Sequence, residues 1–177
     1  MSLNQHLQLM AQYNQWMNQK LYDTAASLSA DALRENRGAF FGSIFSTLNH
    51  LAVADTIWIR RLSASFPAEW GLEEAKQLQQ IQALDLSLFE DFVELHNYRI
   101  KLDNMLLQLS LKAQDEDLLA PIPYIDIKGN SHKKQLFGLL MHVFNHQTHH
   151  RGQITTMFSQ ANVDVGVTDL NALIPEI

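Results

Sequence analysis

His142-Val143-Phe144-Asn145-His146-Gln147-Thr148-His149-His150-Arg151-Gly152-Gln153 holds four histidines in nine residues. Its surroundings read as a helix. Leu139, Val143, His146, His150, Ile154 and Met157 recur at steps of three and four, and at about 100° per residue they fall on one side. Residues four apart on a helix share a face, roughly 6 Å apart along the axis. His146 and His150 therefore face the core together, and His142 and His149 lie at its margin. The spacing predicts a long helix over residues 133–161, capped by Ser131.

Upstream, Pro121-Ile122-Pro123-Tyr124-Ile125-Asp126-Ile127-Lys128-Gly129-Asn130 excludes a helix interior, because proline lacks the N–H and clashes with the preceding turn. Tyr124, Ile125 and Ile127 favour extended backbone and Gly129-Asn130 a turn, so a short strand or hairpin is expected. Three more helices are expected. Leu3, Leu7, Met10, Asn14, Met17, Leu21 and Leu28 mark one over about 2–28. Ile44, Leu48, Leu51, Trp58 and Leu62, widened by Phe45, Ala52 and Ile59, mark a second over 41–63 whose breadth implies more than one neighbour. Phe89, Phe92, Val93, Leu95, Ile100, Leu102, Met105, Leu106 and Leu109 mark a third over 86–111. Residues 29–38 read as a connection, 65–85 as irregular with one short helix, and 162–177 as a packed turn or short helix. The fold class is all-α, with a short hairpin or extended segment before the last long helix.

The 177 residues suit a single domain, 1–177. Hydrophobic residues make up 46% and charged residues 18%, a globular composition. Without cysteine, thiolate ligands, disulfides and cysteine nucleophiles are excluded, so a metal site must use His, Asp, Glu or water. The net charge of -6, with no run of Lys or Arg, argues against nucleic acid as a partner. The first residues lack a charged start and an apolar stretch, and no apolar run approaches the roughly 20 residues needed to span a bilayer. The expectation is a cytoplasmic protein without a membrane partner.

Two imidazoles at i and i+4 are a familiar chelate, and a third ligand usually comes from elsewhere. His50 is the best candidate, because Ser43, Thr47, Ala54 and Ile57 around it leave room for a cavity wall. His50, His146 and His150 are thus the candidate metal ligands. A zinc-protease site needs Glu after the first histidine, where Gln147 stands and cannot abstract a proton. A ferritin-like di-iron site needs Glu-x-x-His, which the chain lacks. A mononuclear centre is expected.

The run Asn145–Gln153, with Leu48-Asn49-His50-Leu51-Ala52-Val53-Ala54-Asp55-Thr56-Ile57-Trp58 upstream, resembles the DinB-like (DinB/YfiT) metalloproteins. The likeness covers nearly the whole chain. It implies a four-helix bundle, often a homodimer, with a three-histidine site mapping to His50, His146 and His150. It implies zinc or nickel as the usual ion. It also implies relatives among metal-dependent S-transferases that use low-molecular-weight thiols.

Three neutral imidazoles leave a divalent ion at least one open position, which suits hydrolysis or thiolate transfer on a small-molecule substrate. The alternative is a non-catalytic module in which the ion staples two helices. Asp55 either orients an imidazole or serves as a hydrogen-bond partner inside the helix. Gln153 either lines the pocket or bonds locally. Arg151 either meets an anionic substrate or forms a surface or interface ion pair. Gly152 suggests close packing. His142 and His149 are proton carriers or a solvated margin, and Trp16, Trp58 and Trp70 are packing residues.

Overall fold

The computed structural model describes residues 1–84 and 86–176. Asp85 and Ile177, where two of the expected segments end, lie outside the described residues. Four long helices dominate: α1 (Leu3–Ala26), α3 (Ile44–Ser63), α5 (Phe92–Lys112) and α7 (Leu136–Gln160). Short helices α2 (Ala30–Arg34), α4 (Glu73–Lys76) and α6 (Asp115–Leu119) sit between them. Single 3-10 turns occupy Ala68–Trp70 and Leu170–Leu173. An antiparallel hairpin of β1 (Pro121–Ile125) and β2 (Ser131–Gln135) precedes α7. The fold is all-α with one short hairpin, as the sequence implies.

The long helices close a ring, α1 on α5, α5 on α3, α3 on α7 and α7 on α1. Each sends its apolar stripe to the middle: Leu7 and Leu21 from α1, Leu48 and Leu51 from α3, Leu102 and Leu106 from α5, Val143 and Ile154 from α7 are all 0–1% exposed. Alpha-helix α3 is buried on nearly every side, which explains its breadth of apolar residues. Among the described residues, no helix is long and apolar enough to cross a membrane.

The helix starts depart from the sequence reading. The last helix begins at Leu136, not Lys133, and Ser131 opens β2 instead of capping it. Register with β1 decides this: Ser131 pairs with Ile125 and Gln135 with Pro121, so the ladder claims the polar residues before the helix. The third long helix begins at Phe92, because the Asp91 carboxylate accepts from the Glu94 N–H at 2.9 Å. Val93 and Ile100, expected inside, are 62% and 40% exposed, and Arg99 and Asp103 turn inward instead. The second begins at Ile44, capped by Ser43, which leaves Phe41 in the preceding turn.

Candidate metal centre

His50 from α3 meets His146 and His150 from α7 between the two helices. His50 Nε2 lies 3.2 Å from His146 Nε2, and His150 Nε2 lies 3.1 Å from the same atom. One ligand nitrogen from each ring falls within 4.8 Å of the others. His50 and His150 are buried and His146 is half-buried.

The outer nitrogens fix the tautomers. His50 Nδ1 lies 3.1 Å from the Leu84 carbonyl, which only accepts, so the proton sits on Nδ1. His150 Nδ1 lies 2.7 Å from Gln153 Oε1, with the same consequence. In the neutral rings both Nε2 atoms are then bare lone pairs aimed at His146 Nε2. That atom carries at most one hydrogen and cannot satisfy two acceptors. Three acceptor-rich nitrogens crowded in this way suit a cation shared between them. Tetrahedral zinc with bonds of roughly 2.05 Å would hold its nitrogens about 3.3 Å apart, close to the observed spacing. The donor set therefore fits a divalent ion held by His50, His146 and His150.

Electrostatics agree. Burial and the neighbouring imidazoles of His150, His50, His142 and His149 push His146 down to about 3. Burial also lowers His50 and His150. All three are neutral at physiological pH, the form that ligates.

The residues around the triad are only partly those expected. Asp55 does not orient an imidazole. It accepts from Gln147 Nε2 at 2.6 Å and pairs with Arg99 at 2.8 Å. Arg99 continues to Asp103 at 3.0 Å, which accepts from Asn14 and Asn18 at 2.9 Å each. Arg151 donates to Asn14 Oδ1 and to Thr148 Oγ1, with its guanidinium 5.3 Å from the Tyr13 ring centre. It is 2% exposed, so it is neither a surface ion pair nor an anion site. Two acids and two arginines thus share the bundle centre, a polar layer adjoining the triad through the Gln147 backbone. Gly152 is exposed, and a Cβ there would meet nothing within 4 Å, so it serves no close packing.

Gln153 takes the role assigned to Asp55, because it orients His150 and also borders the adjoining cavity. The small residues beside His50 are buried in helix packing, and the cavity opens on the Phe41 side instead. Phe41 stacks on His50 with centroids 3.9 Å apart and planes at 22°. Asn49 was not legible as a site residue. Its Oδ1 accepts from Leu88 and Phe89 N–H groups at 2.9 and 3.1 Å, and this ties the chain after Leu84 to α3. The only hint in the sequence is an amide next to His50 inside an apolar helix. His142 and His149 lie outside the triad. His142 packs against Trp58 at 5.1 Å and His149 against His150 at 4.8 Å. Trp70 packs on Phe66, and Trp16 lies beside Tyr13.

Comparisons with known proteins agree with this architecture. The family model described as DinB family matches residues 1–175. Protein DinB of Bacillus subtilis (strain 168) is 31% identical over 160 residues, covering 89% of this chain and 87% of that protein. A crystal structure of a DinB-like protein from Bacillus cereus ATCC 10987 matches with a TM-score of 0.58 at 21% identity, covering 88% of this chain and 91% of that one. At that identity the structural likeness speaks for the fold.

Proposed function

The chain belongs to the DinB family, and from that premise we propose a divalent-metal protein that acts on a small molecule, as a metal-dependent thiol S-transferase or hydrolase. The convergence of three Nε2 atoms, two with their lone pairs fixed by outer hydrogen bonds, carries the reading. Zinc or nickel suits an all-imidazole donor set. A bound ion supplies Lewis acidity, which lowers the pKa of a thiol or water brought to it.

The chain's own residues position this chemistry. The Leu84 carbonyl and Gln153 hold two imidazoles in their ligating tautomer. Phe41 covers one face of His50 and keeps water from it. Gln147 stays committed to Asp55 and supplies no base. A cavity against His50 and His150 gives a small molecule access. A homodimer belongs to the same proposal and is measured by sedimentation.

A second reading rests on the fact that His50 stands on one helix and His146 and His150 on another. An ion there ties α3 to α7 without any reaction. Elemental analysis of untagged protein tests the shared premise. Wild type is expected to hold about one ion per chain, with His50→Ala and His146→Ala losing it. Equal metal in all three rejects the site. A screen with low-molecular-weight thiols and electrophiles on metal-loaded protein then separates the two readings.

A further inference from the structure

A cavity of about 550 Å³ lies against the triad, with His50 and His150 in its wall. Five of its lining residues are rings: Phe40, Phe41, His50, His149 and His150. Leu84 and Gln153 also line it. Among the described residues no Lys, Arg, Asp or Glu side chain lines it, on a chain that carries 32 such residues, 13 basic and 19 acidic. Its size falls in the small-molecule range of roughly 300–1,000 Å³.

The two phenylalanines are held in place by a tight turn. The Gly42 N–H donates to the Ala39 carbonyl at 2.8 Å, and the Arg37 N–H donates to the Gly42 carbonyl at 2.8 Å. Phe41 lies flat on His50 and meets His150 edge-on at 5.5 Å and 61°. Phe40 meets Phe41 edge-on at 4.9 Å and 81°, yet 86% of it is exposed. A pinned, unclothed phenylalanine leaves apolar surface in water, and covering it is favourable at about 25 cal/mol per Å². Leu84, 44% exposed, adds to that uncovered surface.

Resting on the reading that the triad handles a small molecule, we propose that this cavity binds an uncharged aromatic portion of that molecule, with Phe40 and Phe41 as specificity-determining residues. A flat ring gains offset or edge-on contacts with rings already arranged around it. Away from the triad, a carboxylate or phosphate would lose its water and meet no cation among the described lining side chains. The rings therefore take an uncharged aromatic portion, and an anionic substituent on that portion is disfavoured unless it reaches the triad.

The test uses the untagged full chain, with and without added zinc, and N-phenyl-1-naphthylamine, a neutral probe that fluoresces in apolar surroundings. Its sulfonated relative, 1-anilinonaphthalene-8-sulfonate, is the charged control. In the zinc-free protein the neutral probe is expected to bind and the sulfonate to bind roughly tenfold more weakly, and with or without zinc Phe40→Ser is expected to weaken the neutral probe by roughly tenfold. Because Phe40 is exposed, its loss leaves the fold intact, which thermal melts verify. Equal probe affinity in wild type and Phe40→Ser, or equal affinity for both probes in the zinc-free protein, overturns the proposal. If Phe40→Ser alters only the sedimenting mass, the ring joins copies of the chain and the proposal also fails. Metal content of the same samples is read separately. Protein that takes up no zinc when it is offered, yet binds the probe through Phe40, sinks the metal reading alone, and metal-loaded protein that ignores the neutral probe sinks the pocket alone.

Discussion

Gln153 shows how much one neutral side chain does. Its Oε1 accepts from His150 Nδ1 and aims the other nitrogen at the triad. Gln153→Leu keeps the bulk and removes the acceptor, and is expected to weaken metal binding by about 10–100-fold, read by chelator competition. Arg99 is the counterpart in the polar layer, 1% exposed and shared by Asp55 and Asp103. Arg99→Ala leaves two buried acids without their cation and is expected to cost about 3–5 kcal/mol in urea denaturation. The two residues differ in how far sequence betrays them. His146 and His150 announce themselves, because imidazoles four apart on an apolar face have few other uses. Arg99 and Asp103 have the same spacing, but charged residues are exposed by default, so the pair reads as a surface bridge. Only Leu95, Leu102 and Leu106 around it hint that the helix turns that face inward. Arg151 misleads in the same way, because its partners, Asn14 and Tyr13, come from the far end of the chain.

At the scale of elements, four long helices and a hairpin are legible because their apolar periods are long and their breakers few. The starts are not, because local contacts that no period encodes decide them. Pairing with β1 draws Ser131–Gln135 into a strand, and Asp91 moves the start of α5 to Phe92. The turn before α3 is the most consequential case. Phe41 reads as helical, but the chain reverses at Ala39–Gly42 and lays its ring on His50. Gly42 makes this possible with φ of +78°, a conformation that costs other residues roughly 1–2 kcal/mol. Gly42→Ala is expected to lower stability by about 1 kcal/mol, read by thermal melts, and to loosen metal binding as Phe41 shifts. Unchanged metal affinity would show that the stacking contact is dispensable.

The whole molecule carries a net charge of -6, yet its interior balances two acids against two arginines beside three neutral imidazoles. That balance gives metal-free protein a pH response. His146 is held at about 3 in the fold, against 6.5 for the free ring, so the unfolded chain takes up a proton the fold refuses. Its share of stability is whole above pH 6.5 and is lost as pH falls towards 3, by at most about 1.4 kcal/mol per pH unit for one proton. Asp103, raised to about 6 by burial, pulls the other way below that pH. The His146 effect is therefore read as a difference: between pH 7 and 4.5, chelator-treated wild type is expected to lose more stability than His146→Asn. Equal losses would mean that the ring titrates normally. The ring contact described for Trp58 has a use of its own. Its indole touches His142, and His142 stands 6.2 Å from His146, while Trp16 and Trp70 pack elsewhere. The chain thus carries a built-in optical gauge: nickel is expected to dim its emission more than zinc does, and Trp58→Phe to abolish the difference, so occupancy can be followed by light in an ordinary cuvette.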